Sequence, residues 1–474
     1  MLFSPSPEKR RRLQLRISER RLLLMTGDSL AVIVAVLASL AIWARVGDRD
    51  FDPEFLISQI HWFFLLILLW LLLATANDFY ELTVAANRIN SLQHLIAINL
   101  QMIVVYLIVF FFSDRNTLPR LFILYYGVLS FVLVGIWRMV NPALVGWASI
   151  SRRILIIGTD WATETIIDAI HKEANSAYTI MGIVGEEELV GHTICEIPVI
   201  GTGNDLLGFI MRDGISEVVV TSTRELSGDT FQRVMDAYER GIAITPMPIL
   251  YERITGRVPV EHVNNNWAVV LPISGTSVFD MYTFLSRLND IVLSLIGMAF
   301  YLLLLPFLAI AIYVDSPGPI FFKQNRVGLN GQIFRIIKFR TMIPNAEKFT
   351  GAVFAQANDP RVTRVGRIMR KTRLDELPQL VNVLRGDMSL VGPRPERPEH
   401  ISRLQEKIPF YRTRHVVRPG VTGWAQVRYR YGANDEDSLI KLQYDLYYIR
   451  HRSLMLDFTI IIRTIGKVLK MGGQ

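Results

Sequence analysis

Four apolar stretches, at about 22–44, 55–76, 93–112 and 118–140, follow one another near the start of the chain. Each is close to the roughly 20 residues an α-helix needs to cross a hydrocarbon core. Four in succession predict a helical membrane domain over 22–140, since helices satisfy their own backbone in lipid. Lys9, Arg10, Arg11, Arg12, Arg16, Arg20 and Arg21 precede the first stretch. Such a basic flank stays on the cytoplasmic side, so residues 1–21 are expected there. No small-residue cleavage site follows the first apolar run, which argues against a cleaved signal peptide. Arg138, Arg152 and Arg153 close the fourth stretch, as expected if four crossings return the chain to the same side.

Half of the 474 residues are hydrophobic, yet the net charge is +8. The basic residues flank apolar segments or gather in the last third, which favours a membrane surface and phosphate over nucleic acid. Cys195 is the single cysteine, so an intrachain disulfide and a cysteine-cluster metal site are both excluded.

The pattern changes at 151–271. RRILIIG (152–158), IMGIVG (180–185), IPVIG (197–201), ISEVVVT (215–221) and IAITPMP (242–248) read as short buried strands, with helical stretches around 160–173, 203–212 and 229–240. That alternation predicts a Rossmann-like parallel α/β domain. Its first turn, Gly158-Thr159-Asp160-Trp161, keeps one glycine of the dinucleotide fingerprint and puts Asp160 where a pyrophosphate would approach. The expected role is therefore scaffolding or dimerisation, and a homodimer through this domain is the expected assembly.

The last unit, 282–474, opens with an uncharged run at 291–314 that contains Pro306. Its length suits a membrane span, while an interior proline kinks helices. Downstream, TRLDELPQLVNVLRGDMSL (372–390) runs straight into VGPRP (391–395). Asp375 and Glu376 are adjacent, so on a helix they point apart and cannot act as one clamp. Pro378 suits a first helical turn, which makes Asp375 or a neighbour the expected cap and predicts an ionised carboxylate. Such a carboxylate can be a covalent nucleophile, and the second can hold Mg²⁺, a hard cation that shares substrate phosphates. Lys338 and Arg340 in KFRTM, Arg361, Arg364, Arg367 and Arg370 upstream, and Arg394 in the GPRP turn can all meet phosphate oxygens. Arg418, Trp424 and Gln426 in RPGVTGWAQV (418–427) are candidates for a nucleotide or sugar pocket. Asn434 to Asp437 reads as a solvated turn, and Tyr444, Tyr447 and Tyr448 with Arg450, His451 and Arg452 as an interfacial amphipathic helix.

KFRTM, RLDELPQLVNVLRGDMSLVGPRP and RPGVTGWAQV together resemble the polyprenyl-phosphate hexose-1-phosphate transferases, which start bacterial exopolysaccharide, capsule or O-antigen assembly. The catalytic resemblance covers about 282–474, and the preceding spans and Rossmann-like unit resemble the long members of that family. It implies that Asp375 attacks the sugar-bearing phosphorus of a UDP-hexose, releasing UMP, and that undecaprenyl phosphate then takes the sugar phosphate. It implies Glu376 as the Mg²⁺ ligand, and Lys338, Arg340, Arg370 and Arg394 as phosphate binders. It also implies that 291–314 is a re-entrant membrane helix broken at Pro306, in contact with membrane lipids. The catalytic unit would then face the cytoplasm from a bacterial inner membrane. Arg373 stands where many members have serine, and Ser286 where lysine is common. The rival reading is a non-catalytic membrane scaffold of a polysaccharide machine, which would have no need of Asp375 and Glu376.

Overall fold

The computed structural model describes residues 17–47, 51–58, 60–77, 79–80, 84–85, 87–112, 122–145, 151–175, 177–221, 228–260, 281–344, 346, 359–429 and 434–469. Most of the basic N-terminal segment and the linker after residue 260 lie outside them.

The N-terminal helices are α1 (Ile17–Val46), α2 (Pro53–Ser58), α3 (Ile60–Ala76), α4 (Arg88–Phe112) and α5 (Phe122–Val145). The stretch expected as one span at about 55–76 is thus described as α2 and α3, on either side of residue 59. Within the bundle, Arg138 on α5 donates through Nε to Oδ1 of Asp28 on α1 at 3.1 Å, and its guanidinium carbon lies 3.8 Å from the Phe79 ring centroid. Pairing makes two buried charges tolerable where either alone would be costly.

The central unit is a six-stranded sheet: β1 (Arg152–Ile157), β2 (Tyr178–Val184), β3 (Thr193–Ile194), β4 (Ile197–Gly201), β5 (Glu217–Val220) and β6 (Ala243–Pro246). Their order is β3-β4-β2-β1-β5-β6. All pairings are parallel except the short edge pair β3–β4. Helices α6 (Trp161–Glu173), α7 (Leu206–Asp213) and α8 (Gly228–Glu239) follow strands as the alternation predicts, and α9 (Met247–Thr255) closes the unit. The turn after β1 needs its glycine: Gly158 has φ +117°, and a Cβ there would stand 2.0 Å from the Thr221 hydroxyl.

The C-terminal unit begins with one long helix, α10 (Met281–Asp315). Pro306 lies inside it and does not break it, contrary to the expected break. Near its start, Arg287 donates to the carbonyls of Val383 and Leu384 at 2.7 and 3.0 Å, and Asp290 accepts from Ser389 Oγ and Leu390 N at 3.0 and 2.8 Å. At its far end, Asp315 accepts from Val365 N at 2.8 Å. Both ends are therefore fastened to the same domain, while Phe300, Leu303, Phe307, Ile310 and Val314 stand exposed between them.

The remaining elements are β7 (Phe321–Val327), β8 (Ile333–Phe339), α11 (Arg364–Thr372), α12 (Gln379–Arg385), β9 (Ser389–Val391), α13 (Pro398–Lys407), β10 (Gly420–Thr422), α14 (Trp424–Arg428), α15 (Asp435–Arg450) and α16 (Leu454–Leu469). Strands β7 and β8 form an antiparallel hairpin, and β9 pairs in parallel with β10. Helix α15 is not interfacial as expected. Tyr444 and Tyr448 are buried, and Tyr447 stacks on Trp424 with ring centroids 5.9 Å apart. The expected turn at Asn434 is instead the start of α15: Asn434 Oδ1 accepts from Asp437 N at 2.7 Å, and Asp437 accepts from Asn434 N at 3.2 Å.

The central and C-terminal units share a seam. Glu252 on α9 accepts from Arg450 Nη1 at 2.6 Å and lies 2.9 Å from His451 Nε2. Val258 N donates to the Gln443 carbonyl at 3.1 Å, and Val258 and Val260 join the apolar core around Leu442, Tyr444 and Leu446.

Candidate active site

Three segments converge on the paired carboxylates. Strand β8 brings Lys338, a short 3₁₀ turn (Leu374–Glu376) presents Asp375 and Glu376, and the turn after β9 brings Arg394. The 3₁₀ turn exists because Arg373, at the end of α11, adopts a left-handed conformation with φ 57°. That redirects the chain before α12, which Pro378 precedes without any side-chain cap. Asp375 therefore does not cap a helix, and the ionisation expected from a helix terminus does not apply to it.

Glu376 is held on both oxygens. Oε1 accepts from Lys338 Nζ at 2.8 Å and Arg394 Nη2 at 2.7 Å, while Oε2 lies 3.6 Å from Arg373 Nη1. Burial pushes its carboxyl upward, but the Arg394 and Lys338 charges outweigh that and hold it well below the usual range. Lys338 is itself pulled down by burial. Asp375 behaves in the opposite way: burial, reinforced by the Glu376 anion, raises it to about 6 against Lys338, Arg370 and Arg394. Among the described residues its carboxylate makes no hydrogen bond or ion pair. The site thus holds one anion fixed by cations and one unengaged carboxyl that titrates near neutrality.

Arg370 faces this pair electrostatically and anchors through Nε to Thr341 Oγ1 at 2.9 Å. The Arg394 turn is braced from behind. Arg414, paired with Asp445 at 2.7 Å, donates to the Arg394 carbonyl at 3.0 Å, and Arg326 donates to the Pro395 carbonyl at 3.0 Å.

Other expected residues lie elsewhere. Arg340 turns away from the carboxylates and donates to the Ser316 and Pro317 carbonyls just beyond α10. It is a structural anchor for that helix end. Trp424 donates through Nε1 to the Gly256 carbonyl at 3.0 Å and belongs to the seam. Gln426 donates to the Val421 carbonyl at 3.1 Å, and Arg418 through Nε to the Gly386 carbonyl at 3.1 Å, so each is anchored to the domain's own backbone.

Sequence reasoning noted Arg373 only as a departure from the family pattern, and gave no role to Arg414 or Asn382. Asn382 is fully buried; Oδ1 accepts from Ile337 N at 3.1 Å and Nδ2 donates to the Arg335 carbonyl at 2.8 Å. It sets α12 in register with β8, next to Lys338. The available signal was an amide placed within the apolar run LVNVL.

The family profile described as bacterial sugar transferase matches residues 281–471, the unit that carries all of these groups. The chain is 30% identical to a UDP-glucose:undecaprenyl-phosphate glucose-1-phosphate transferase of Klebsiella pneumoniae, over 75% of this chain and 77% of that protein. This protein belongs to the bacterial sugar transferase family. It is 38% identical to a UDP-N-acetylgalactosamine-undecaprenyl-phosphate N-acetylgalactosaminephosphotransferase of Aeromonas hydrophila, over 62% of this chain and 67% of that one. With a UDP-glucose:undecaprenyl-phosphate glucose-1-phosphate transferase of Xanthomonas campestris it shares 34% identity over 58% of this chain, a match that spans 57% of the Xanthomonas protein. A second profile, described as a CoA-binding domain, matches residues 75–224. This bacterial sugar transferase is thus a long form, with α1, α4, α5 and α10 each apolar and long enough to cross a membrane.

Proposed function

We propose that the protein transfers a hexose 1-phosphate from a UDP-sugar to undecaprenyl phosphate, through a covalent phosphosugar on Asp375, and so initiates a bacterial polysaccharide. The observation that carries this reading is the division of labour in the pair: Glu376 is held by cations, while Asp375 is unengaged. An Asp375 oxygen attacks the sugar-bearing phosphorus. As that bond forms, the bond to the bridging oxygen breaks, and UMP leaves with the electron pair. A phosphate oxygen of undecaprenyl phosphate then attacks the same phosphorus and expels the carboxylate. The products are undecaprenyl-diphosphate-sugar and regenerated Asp375. Arg370, Lys338 and Arg394 face the charge that develops.

The described residues offer Mg²⁺ one carboxylate and no cluster of three acidic or imidazole ligands. Glu376 stays ionised, and among the described residues its Oε2 meets only Arg373, at 3.6 Å, so that oxygen would hold the metal with the remaining ligands supplied by donor phosphate oxygens and water. Bound there, Mg²⁺ would neutralise diphosphate charge as UMP departs.

The same proposal places α10 as a re-entrant helix, which turns back through a bend at Pro306 rather than through a break. Fastening of both its ends to one domain, with exposed apolar side chains between, supports entry and return on the cytoplasmic face of the inner membrane. A homodimer through the central unit has the support of exposed Met211, Phe231 and Tyr238 on α7 and α8.

The test is UMP release by purified protein with undecaprenyl phosphate, Mg²⁺ and UDP-glucose, UDP-galactose or UDP-N-acetylgalactosamine, beside Asp375→Asn. Release with one donor, abolished in the variant, together with a phosphosugar mass on the wild-type chain, is the expected result. UMP release that persists in Asp375→Asn overturns the covalent mechanism.

A further inference from the structure

The two oxygens of Glu376 are held unequally. Oε1 accepts from Lys338 Nζ at 2.8 Å and Arg394 Nη2 at 2.7 Å, whereas among the described residues Oε2 has only Arg373 Nη1, at 3.6 Å. That separation is beyond hydrogen-bond length, so Arg373 attracts Oε2 by charge without bonding it. The lone pairs of Oε2 are left for another ligand, with a guanidinium beside them.

Arg373 also stands on an uncommon backbone. It ends α11 with φ 57° and ψ 18°, the left-handed conformation that glycine or asparagine adopts at helix ends with the least steric cost. The turn needs that conformation but not the arginine side chain. Its bonds are backbone ones, from Arg373 N to the Arg370 carbonyl at 3.3 Å and from Glu376 N to the Arg373 carbonyl at 3.2 Å. Among the described residues the guanidinium makes no hydrogen bond and meets no carboxylate besides Glu376. Its side chain is 22% exposed, so it has water into which to withdraw. The cation is thus an addition to the turn, loosely held, at the one oxygen that the short bonds leave open.

We propose that Arg373 is the resident counter-ion of Glu376 Oε2, keeping a divalent cation off that oxygen in the free protein and yielding it when the donor's diphosphate arrives with the metal. The inference rests on the reading of Glu376 as the Mg²⁺ ligand and deepens it by setting the order of binding. A divalent cation by itself meets the charge of Arg373, with Lys338 and Arg394 on the other oxygen. A nucleoside diphosphate brings the negative charge that lets guanidinium and metal share the site. Arg373 acts through Glu376 as a positioning residue, and metal and donor bind with positive coupling.

The test titrates the full chain in phosphatidylcholine nanodiscs with Mn²⁺, reading free Mn²⁺ by electron paramagnetic resonance against empty nanodiscs. Arg373→Asn keeps a left-handed turn and removes the charge, while Arg373→Lys keeps the charge. Without nucleotide, Arg373→Asn should bind Mn²⁺ about tenfold more tightly than wild type, and Arg373→Lys should resemble wild type. UDP with a methylene bridge between its phosphates, which cannot release UMP, should tighten Mn²⁺ binding in wild type and much less in Arg373→Asn. The Mg²⁺ concentration for half-maximal UMP release should fall severalfold in Arg373→Asn, with the melting temperature unchanged. Equal Mn²⁺ binding by wild type and Arg373→Asn without nucleotide overturns the proposal, and a lowered melting temperature beside it assigns Arg373 to the turn alone. Tighter binding that survives the addition of Glu376→Gln puts the ion elsewhere and defeats Glu376 as the metal ligand. Absence of UMP release from every sample would defeat the transferase reading instead, while the Mn²⁺ titration would still decide this one.

Discussion

Lys338 Nζ lies 2.8 Å from Oε1 of Glu376, joining a strand to a turn 38 residues later. Lys338→Met leaves that buried oxygen to Arg394 alone. The expected result is a loss of about 10²-fold in kcat/KM, typical of one charge-stabilising donor. Stability should fall by about 1–3 kcal/mol. Glu376 has a depressed folded value, so its stabilisation is present above the unfolded carboxylate range and lost as pH falls through that lower value. Without Lys338 the folded value rises, and acid unfolding should begin at higher pH. Thermal melts in detergent across an acid series check this.

Asp375 carries the opposite sign. Its folded value of about 6 lies above the ordinary 3.8, so its contribution to stability is complete below the ordinary value and is lost as pH rises through 6. Asp375→Asn should therefore be inactive yet more stable than wild type at neutral pH, by up to about 2 kcal/mol. The gain should vanish in acid. In wild type, kcat/KM should rise through pH 6 as the nucleophile ionises. A pH–rate profile and paired melts at two pH values test both halves.

Arg340 closes the chain just after α10, so Arg340→Ala should act on stability and leave the site's chemistry nearly intact. Two partly exposed carbonyls lose their donor, at a cost of about 1 kcal/mol each. The expected result is a lowered melting temperature and faster proteolysis near residues 315–318. The KM for the UDP-sugar should change less than about threefold, within roughly 0.6 kcal/mol. A large rise in KM with unchanged stability would return Arg340 to the phosphate site.

Trp424→Phe keeps the stacked ring but removes the donor to Gly256. It should cost about 1 kcal/mol and loosen the seam, read as faster hydrogen exchange around Gly256. The KM for the UDP-sugar should not move. Any change in sugar preference would restore the pocket role suggested by its motif.

Much of this was legible in the chain. Periodicity located β1, β2, β4, β5 and β6 and the helices between them, because strands buried on both faces read as short apolar runs. The motifs brought Lys338, Asp375, Glu376 and Arg394 into one hypothesis, and the structure brings those four side chains together. What the sequence hid was direction. Lys338 and Arg340 are two positions apart on one motif, yet one meets Glu376 while the other turns to Ser316, since the hairpin has ended by Arg340. The ionisation of Asp375 was also hidden. Local helix-capping logic predicts an anion, whereas burial beside Glu376 pushes the group the other way. Trp424 looked like a pocket residue because its partner, the Gly256 carbonyl, comes from a different unit 168 positions earlier.

The seam has a consequence for where this protein can be cut. The family match opens at residue 281, but Val258 and Val260, 0% and 2% exposed, are packed among Leu442, Tyr444 and Leu446. A fragment begun at the homology boundary leaves those two valines behind and carries an open furrow in their place. It also strands Arg450 and His451 without Glu252. The unit that inheritance marks out and the unit that packing marks out start at different residues, and an expression fragment that keeps its interior whole must begin upstream of the seam.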